Sequence, residues 1–117
     1  MISNAIASVP VKNLKAATAW YERVLGRPAT STPMPEVAEW EFPKGGWLQV
    51  YEGPDRAGGG SFTLSVDDMD QTLANLEAVG VDTSNRGVGA STRTVMISDP
   101  DGNSIAFAHT DDPTMAR

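Results

Sequence analysis

Apolar and polar residues alternate with period two at the start of the chain: Ala7, Val9 and Val11 interleave with Ile6, Ser8 and Pro10. That is the spacing of a strand with one face on a core. The period then changes. Asn13 offers a capping oxygen, and Leu14, Ala17, Tyr21 and Val24 recur at three- and four-residue intervals before Gly26. This predicts an amphipathic helix ended by a left-handed glycine. The same order returns farther along. Phe62, Leu64 and Val66 alternate with Ser61, Thr63 and Ser65; Asp68 caps, with Gln71 in the capping-box position; Met69, Leu73, Leu76 and Val79 form a stripe ahead of Gly80.

After each helix the alternation resumes. AEWEF (38–42) and WLQVY (47–51) flank PKGG, and TVMIS (94–98) and SIAFA (104–108) flank DPDGN, both connections suited to hairpins, the second read as a turn and nothing more. The segments 30–37 and 83–92 are rich in Ser, Thr, Pro and Gly, as irregular or edge strands are. Each half therefore reads β-α-β-β-β, and VPVKNLKAATAWYERVLG (9–26) and LSVDDMDQTLANLEAVG (64–80) form an internal repeat. At 117 residues the chain has room for one domain, so the repeats are half-domains of about 1–52 and 61–110. GPDRAGGG (53–60) is expected to be a mobile linker near the mouth of a cleft, and 111–117 a tail.

Charge and composition narrow the partners. A formal net charge of −6 and a pI near 4.5 argue against nucleic acid and anionic membranes, which select basic surfaces. No apolar run reaches membrane-spanning length and the N-terminus lacks a signal-peptide pattern, so a soluble cytoplasmic protein is expected. With no cysteine there is no disulfide or thiolate, and a metal would need His, Asp or Glu.

Two phrases carry a family resemblance. VKNLKAATAWYERVLG resembles a strand end, a "DL" cap and an "S-x-x-FY-x-x-VLG" helix, and SDPDGNSIAF resembles a "DPDG-x-x-I-E-L" closing hairpin, of the vicinal oxygen chelate superfamily. That superfamily includes glyoxalase I, bleomycin-resistance proteins and extradiol dioxygenases. The resemblance implies an α+β fold in which tandem βαβββ modules form a concave mixed sheet with helices outside, and a homodimer with sites shared between subunits. It also implies four positions at which the enzymes of the family hold a divalent metal. These fall on Ile6, Gln49, Ser61 and Ala106, of which two have no donor atom, so no metal, cofactor or catalytic residue is assigned.

Strand parity marks the cleft. With Ala7/Val9/Val11, Leu48/Val50, Phe62/Leu64/Val66, Val95/Ile97 and Ile105/Phe107 under the helices, the other face carries Trp47, Gln49, Tyr51, Ser61, Thr63, Met96 and Ala106. These are the expected ligand contacts, joined by Trp40 at the cleft rim or an interface and by Arg93 as the cation best placed for an anionic ligand. Trp20 is read as packing, Glu39 and Glu41 as a solvated edge, and His109 as solvent-facing and inert. The function expected is metal-independent binding of an aromatic or antibiotic-like small molecule, of the bleomycin-resistance type. The alternatives are a glyoxalase-like lyase or dioxygenase with an unconventional metal site, and a non-catalytic module that binds another protein.

Overall fold

Each half of the chain closes its own four-stranded sheet. In the computed structural model, which describes residues 1–114, the first half runs β1 (Ile6–Val11), α1 (Leu14–Leu25), β2 (Ser31–Met34), β3 (Val37–Glu41) and β4 (Trp47–Glu52). The second runs β5 (Ser61–Ser65), α2 (Met69–Ala78), β6 (Arg86–Val88), β7 (Thr92–Ser98) and β8 (Ser104–Thr110). The sheet orders are β1-β4-β3-β2 and β5-β8-β7-β6. Both sheets are mixed, because β1 runs parallel to β4 and β5 parallel to β8 while the other pairs are antiparallel. The concave sheet expected as one is thus two, with β1 and β5 touching as inner edges that share no ladder.

The helices form where the caps predict. The Asn13 side chain accepts from the Ala16 amide and Gly26 ends α1 at φ 81°, while the Asp68 side chain accepts from the Gln71 amide. The Gln71 side-chain Nε2 donates to Asn75 Oδ1, one turn on. Under the helices, Val9, Val11, Leu48, Val50, Val95 and Ile105 are fully buried, and one hydrophobic cluster runs through both modules. Burial of this cluster supplies most of the drive to fold, at roughly 25 cal/mol per Å² of apolar surface removed from water. Trp20 packs against it half-buried, edge-on to Tyr21 at 4.9 Å.

Trp40 is not at a rim. It is fully buried, packs 6.1 Å from the Tyr21 ring, and its indole N–H donates to Arg27 O at 3.1 Å. The reason is register: Trp40 pairs with Leu48 and Ala38 with Val50, so these two residues of β3 share the helix side with the core residues of β4.

The turn between β7 and β8 does more than reverse the chain. Asp99 and Asn103 are buried there. Asp99 Oδ1 accepts from the amides of Asp101 and Asn103, and Oδ2 accepts from the Tyr21 hydroxyl at 2.9 Å and from Asn103 Nδ2 at 2.7 Å. Asn103 Nδ2 also donates to Pro10 O, and its Oδ1 accepts from the Gly58 and Gly60 amides at 3.0 and 2.8 Å. One turn thereby ties α1, β1 and the connecting segment together. The expected mobile linker is accordingly a pinned one, with further turn hydrogen bonds from Arg56 N to Gly53 O and from Gly59 N to Arg56 O.

His109 is likewise held. Nδ1 lies 2.9 Å from Val66 O, Nε2 lies 3.1 Å from Asp111 Oδ1, and the side chain is 27% exposed, so it is neither solvent-facing nor unpartnered. No helix among the described residues is long and apolar enough to cross a membrane.

Candidate functional site

The face turned away from the helices is assembled in rows across the first sheet. Pairing places Ile6, Trp47 and Glu41 in one row, Ser8, Gln49, Glu39 and Ser31 in the next, and Pro10, Tyr51 and Val37 in the third. The middle row is a continuous chain of side-chain hydrogen bonds spanning all four strands. Ser8 Oγ donates to Gln49 Oε1 at 3.4 Å, Gln49 Nε2 donates to Glu39 Oε2 at 3.1 Å, and Ser31 Oγ donates to Glu39 Oε1 at 3.3 Å. Gln49 is thus fixed in orientation by a carboxylate on one side and a hydroxyl on the other. Trp47 and Tyr51 flank it along β4, about 13 Å apart at the rise of a strand. Both are half-buried, which leaves aromatic surface for a ligand.

Glu39 is the functional candidate that sequence reading passed over. Its parity with Glu41 was legible, but only the pairing of Glu39 with Gln49 brings it into the row. None of the side chains in these three rows is basic. The face therefore offers acceptors and aromatic rings, and it favours a ligand that brings hydrogen-bond donors.

The corresponding face of the second sheet is smaller in side-chain size. Ser61 stands beside Ser104 and Ser98, Thr63 beside Ala106 and Met96, and Ser65 beside Ala108 and Thr94. Met96 is 44% exposed and also borders a shallow 430 Å³ depression with Asp82 and Asn85. Trp47 and Thr63, one from each module, both border a 670 Å³ cavity between the modules.

Arg93 is absent from this face. It pairs with His109 across β7 and β8 and shares the parity of Val95 and Ile97, which turns it toward α2, where its guanidinium meets Asp70 at 3.1 Å. Alternation along β7 already implied that side, because residues two apart share a face.

The four positions implied for a metal test poorly on their chemistry. Ile6 and Ala106 carry no donor atom, Ser61 carries a neutral hydroxyl, and both ends of the Gln49 amide are engaged. Among the described residues, no group of three or more His, Cys, Asp or Glu side chains converges anywhere. This donor set does not fit a divalent metal of the kind that polarises an enediolate or activates dioxygen.

The profile of the Glyoxalase/Bleomycin resistance protein/Dioxygenase superfamily matches residues 4–107. The chain belongs to that superfamily. Among solved structures, a glyoxalase/bleomycin resistance protein from Catenulispora acidiphila is 35% identical, with a TM-score of 0.85 over 93% of this chain and 99% of that one. TnmS3, an antibiotic binding protein from Streptomyces sp. CB03234, is 24% identical with a TM-score of 0.80, covering 95% and 98% of the two chains. The bleomycin resistance determinant encoded on transposon Tn5 is 18% identical with a TM-score of 0.74, covering 95% and 100%. No curated protein matches the sequence. Within the superfamily, then, this member keeps the paired βαβββ scaffold and fills the central row of its first sheet with a Ser-Gln-Glu-Ser chain.

Proposed function

We propose that the protein is a metal-independent small-molecule binder of the bleomycin-resistance type, which sequesters an aromatic, antibiotic-like ligand on the face built around Gln49. The observation that carries this reading is the oriented Ser8–Gln49–Glu39–Ser31 row between Trp47 and Tyr51. A planar ligand finds ring surface at either side and directional polar groups between, the combination that ligand sites use for affinity and orientation. The acceptor character of Glu39 and Glu41, on a chain of net charge −6, favours ligands with donor or cationic groups. Two structural neighbours point the same way by their own described roles, one antibiotic binding and one bleomycin resistance.

Ile6 is 56% exposed and Met96 44% exposed on these faces. Each sheet offers half of a cleft, and a homodimer that apposes one copy's first sheet to the other's second supplies the missing wall. The lyase and dioxygenase readings lack a supporting donor set.

Titration calorimetry with bleomycin and a panel of planar aromatic antibiotics tests the proposal. Saturable binding that falls at least tenfold in Gln49→Ala and in Tyr51→Ala is expected, with a dimer mass in sedimentation. Stoichiometric Ni, Zn, Fe or Mn in the purified protein, together with metal-dependent turnover, would overturn it.

A further inference from the structure

The hairpin turns that close the two modules share a backbone and differ in what fills them. Gly45 and Gly102 both take φ 96°. Gly45 N donates to Phe42 O and Gly102 N to Asp99 O, at 2.9 and 3.0 Å; Phe42 N donates to Gly46 O and Asp99 N to Asn103 O, at 2.8 and 3.0 Å. The flanking registers correspond as well, Ile6 with Trp47 in one module and Ser61 with Ser104 in the other. Phe42 therefore occupies the place of Asp99, and Gly46 the place of Asn103. On the helices, counted from the caps Asn13 and Asp68, Leu76 occupies the place of Tyr21.

At the Asp99 end, three polar side chains plug the junction between the modules. At the Phe42 end the plug is missing. A hydrogen atom at Gly46 stands where Asn103 has its amide, and a Cβ added to Gly46 would meet nothing within 4 Å. What remains is a cavity of 670 Å³ bordered by Phe42, Gly46, Leu64, Val66 and Leu76. The contrast extends to β5. Val9 and Val11 are fully buried, whereas their counterparts Leu64 and Val66 are only half-buried, although their parity is that of the core.

We infer that this unplugged junction is a second small-molecule site, for a compact, mainly apolar molecule of fused-ring size with one polar end. Its volume is that of a ligand pocket, and it opens to solvent, so a ligand can reach its apolar floor. Leu64, Val66, Leu76 and Phe107 make the apolar part of the walls, while Lys44 from the first module and Asp67, Thr72 and Asn75 from the second stand at the margin to meet a hydroxyl. No ion pair among the described residues engages Lys44. The site shares Ile6, Trp47 and Thr63 with the edge of the face described above, but Gln49, Glu39 and Tyr51 do not border it, so its apolar floor is distinct from the row around Gln49.

The test uses 2-naphthol as the probe, titrated calorimetrically into the full chain. Saturable binding at one molecule per chain is expected. Gly46→Phe, at a glycine outside the left-handed region, fills the cavity and lowers the affinity at least tenfold without lowering the melting temperature. Val24→Phe narrows the cavity from α1 and gives the same loss, which covers the case of a misfolded Gly46 variant. Tyr51→Ala leaves 2-naphthol affinity within twofold. Three results overturn the inference: no saturable binding to the full chain; binding that both filling variants retain; or binding that Tyr51→Ala abolishes, which places the probe on the face around Gln49 and leaves the proposed function standing. In the first of these cases, a filling variant that turns a dimer into a monomer assigns the cavity to the subunit contact instead.

Discussion

The Tyr21 hydroxyl donates a 2.9 Å hydrogen bond to Asp99 across 78 residues of sequence, between the helix of one module and the closing turn of the other. Tyr21 is fully buried and Asp99 is 5% exposed. The bond therefore operates where water cannot substitute for either partner. Tyr21→Phe is expected to cost about 1–2 kcal/mol, because Asp99 keeps its other donors. Asp99→Ala strands the hydroxyl together with several donors of the turn and is expected to cost about 3 kcal/mol or more. Denaturant titration of the two single variants and the double variant gives the coupling between them, and a coupling near zero would refute a joint role.

Burial, and next to it the charge of Asp99, raise the pKa of the Tyr21 phenol well above its ordinary value. The folded state thus holds this proton at a pH where the unfolded chain has released it. The associated stability is complete below about pH 10 and is lost as pH climbs beyond that, with a slope of about −1.4 kcal/mol per pH unit. In Tyr21→Phe the alkaline decline is expected to be shallower by that amount. Urea unfolding at pH 8, 10 and 11 measures the difference; parallel declines in the two proteins would contradict it.

Asn103 holds the connecting segment through the Gly58 and Gly60 amides. Asn103→Ala leaves the partly buried Gly58 and Gly60 amides without their acceptor and frees the segment around Arg56. Limited trypsin digestion is expected to cut after Arg56 markedly faster in the variant than in the unaltered chain, with a stability loss of about 2–3 kcal/mol. Unchanged cleavage would show that the turns within the segment suffice to order it.

Arg93 faces Asp70 with both side chains substantially exposed, 44% and 83%. Arg93→Ala is expected to change stability by less than about 1 kcal/mol, since exposed ion pairs are screened and entropically costly. Affinity for any ligand of the Gln49 face should stay within twofold, as isothermal titration would register.

Trp40 and Trp47 separate core from site. Trp40→Ala removes a fully buried indole and its hydrogen bond to Arg27 O, and is expected to destabilise by about 3–5 kcal/mol. Trp47→Ala, at a half-buried position, is expected to weaken ligand binding while costing clearly less stability. Equal thermal losses in the two variants would remove the distinction.

Much of this architecture is local chemistry and was legible residue by residue. Period-two alternation named the core face of β1, β4, β5, β7 and β8, and Asn13, Asp68 and Gly26 stop or start helices through their own side chains and backbone. Arg93 was legible too, because its parity with Val95 assigns it to the helix side. Trp40 was less so. Its parity opposes Glu39 and Glu41, but which of the two faces is the core depends on the register of β3 on β4.

What the sequence determined by itself is the repeat: two βαβββ units whose strands, caps and turns form from neighbours a few residues apart. What only the tertiary structure decided is how the repeats differ once they meet. Glu39 joins Gln49 through strand pairing, and Asp99 with Asn103 reaches Tyr21 and the connecting segment across the module boundary. At the other boundary, Phe42, Gly46 and Leu76 leave a cavity in the matching place. Such contacts arise between residues far apart in the chain, where neither periodicity nor capping carries information, so packing alone makes one junction a lock and the other a pocket.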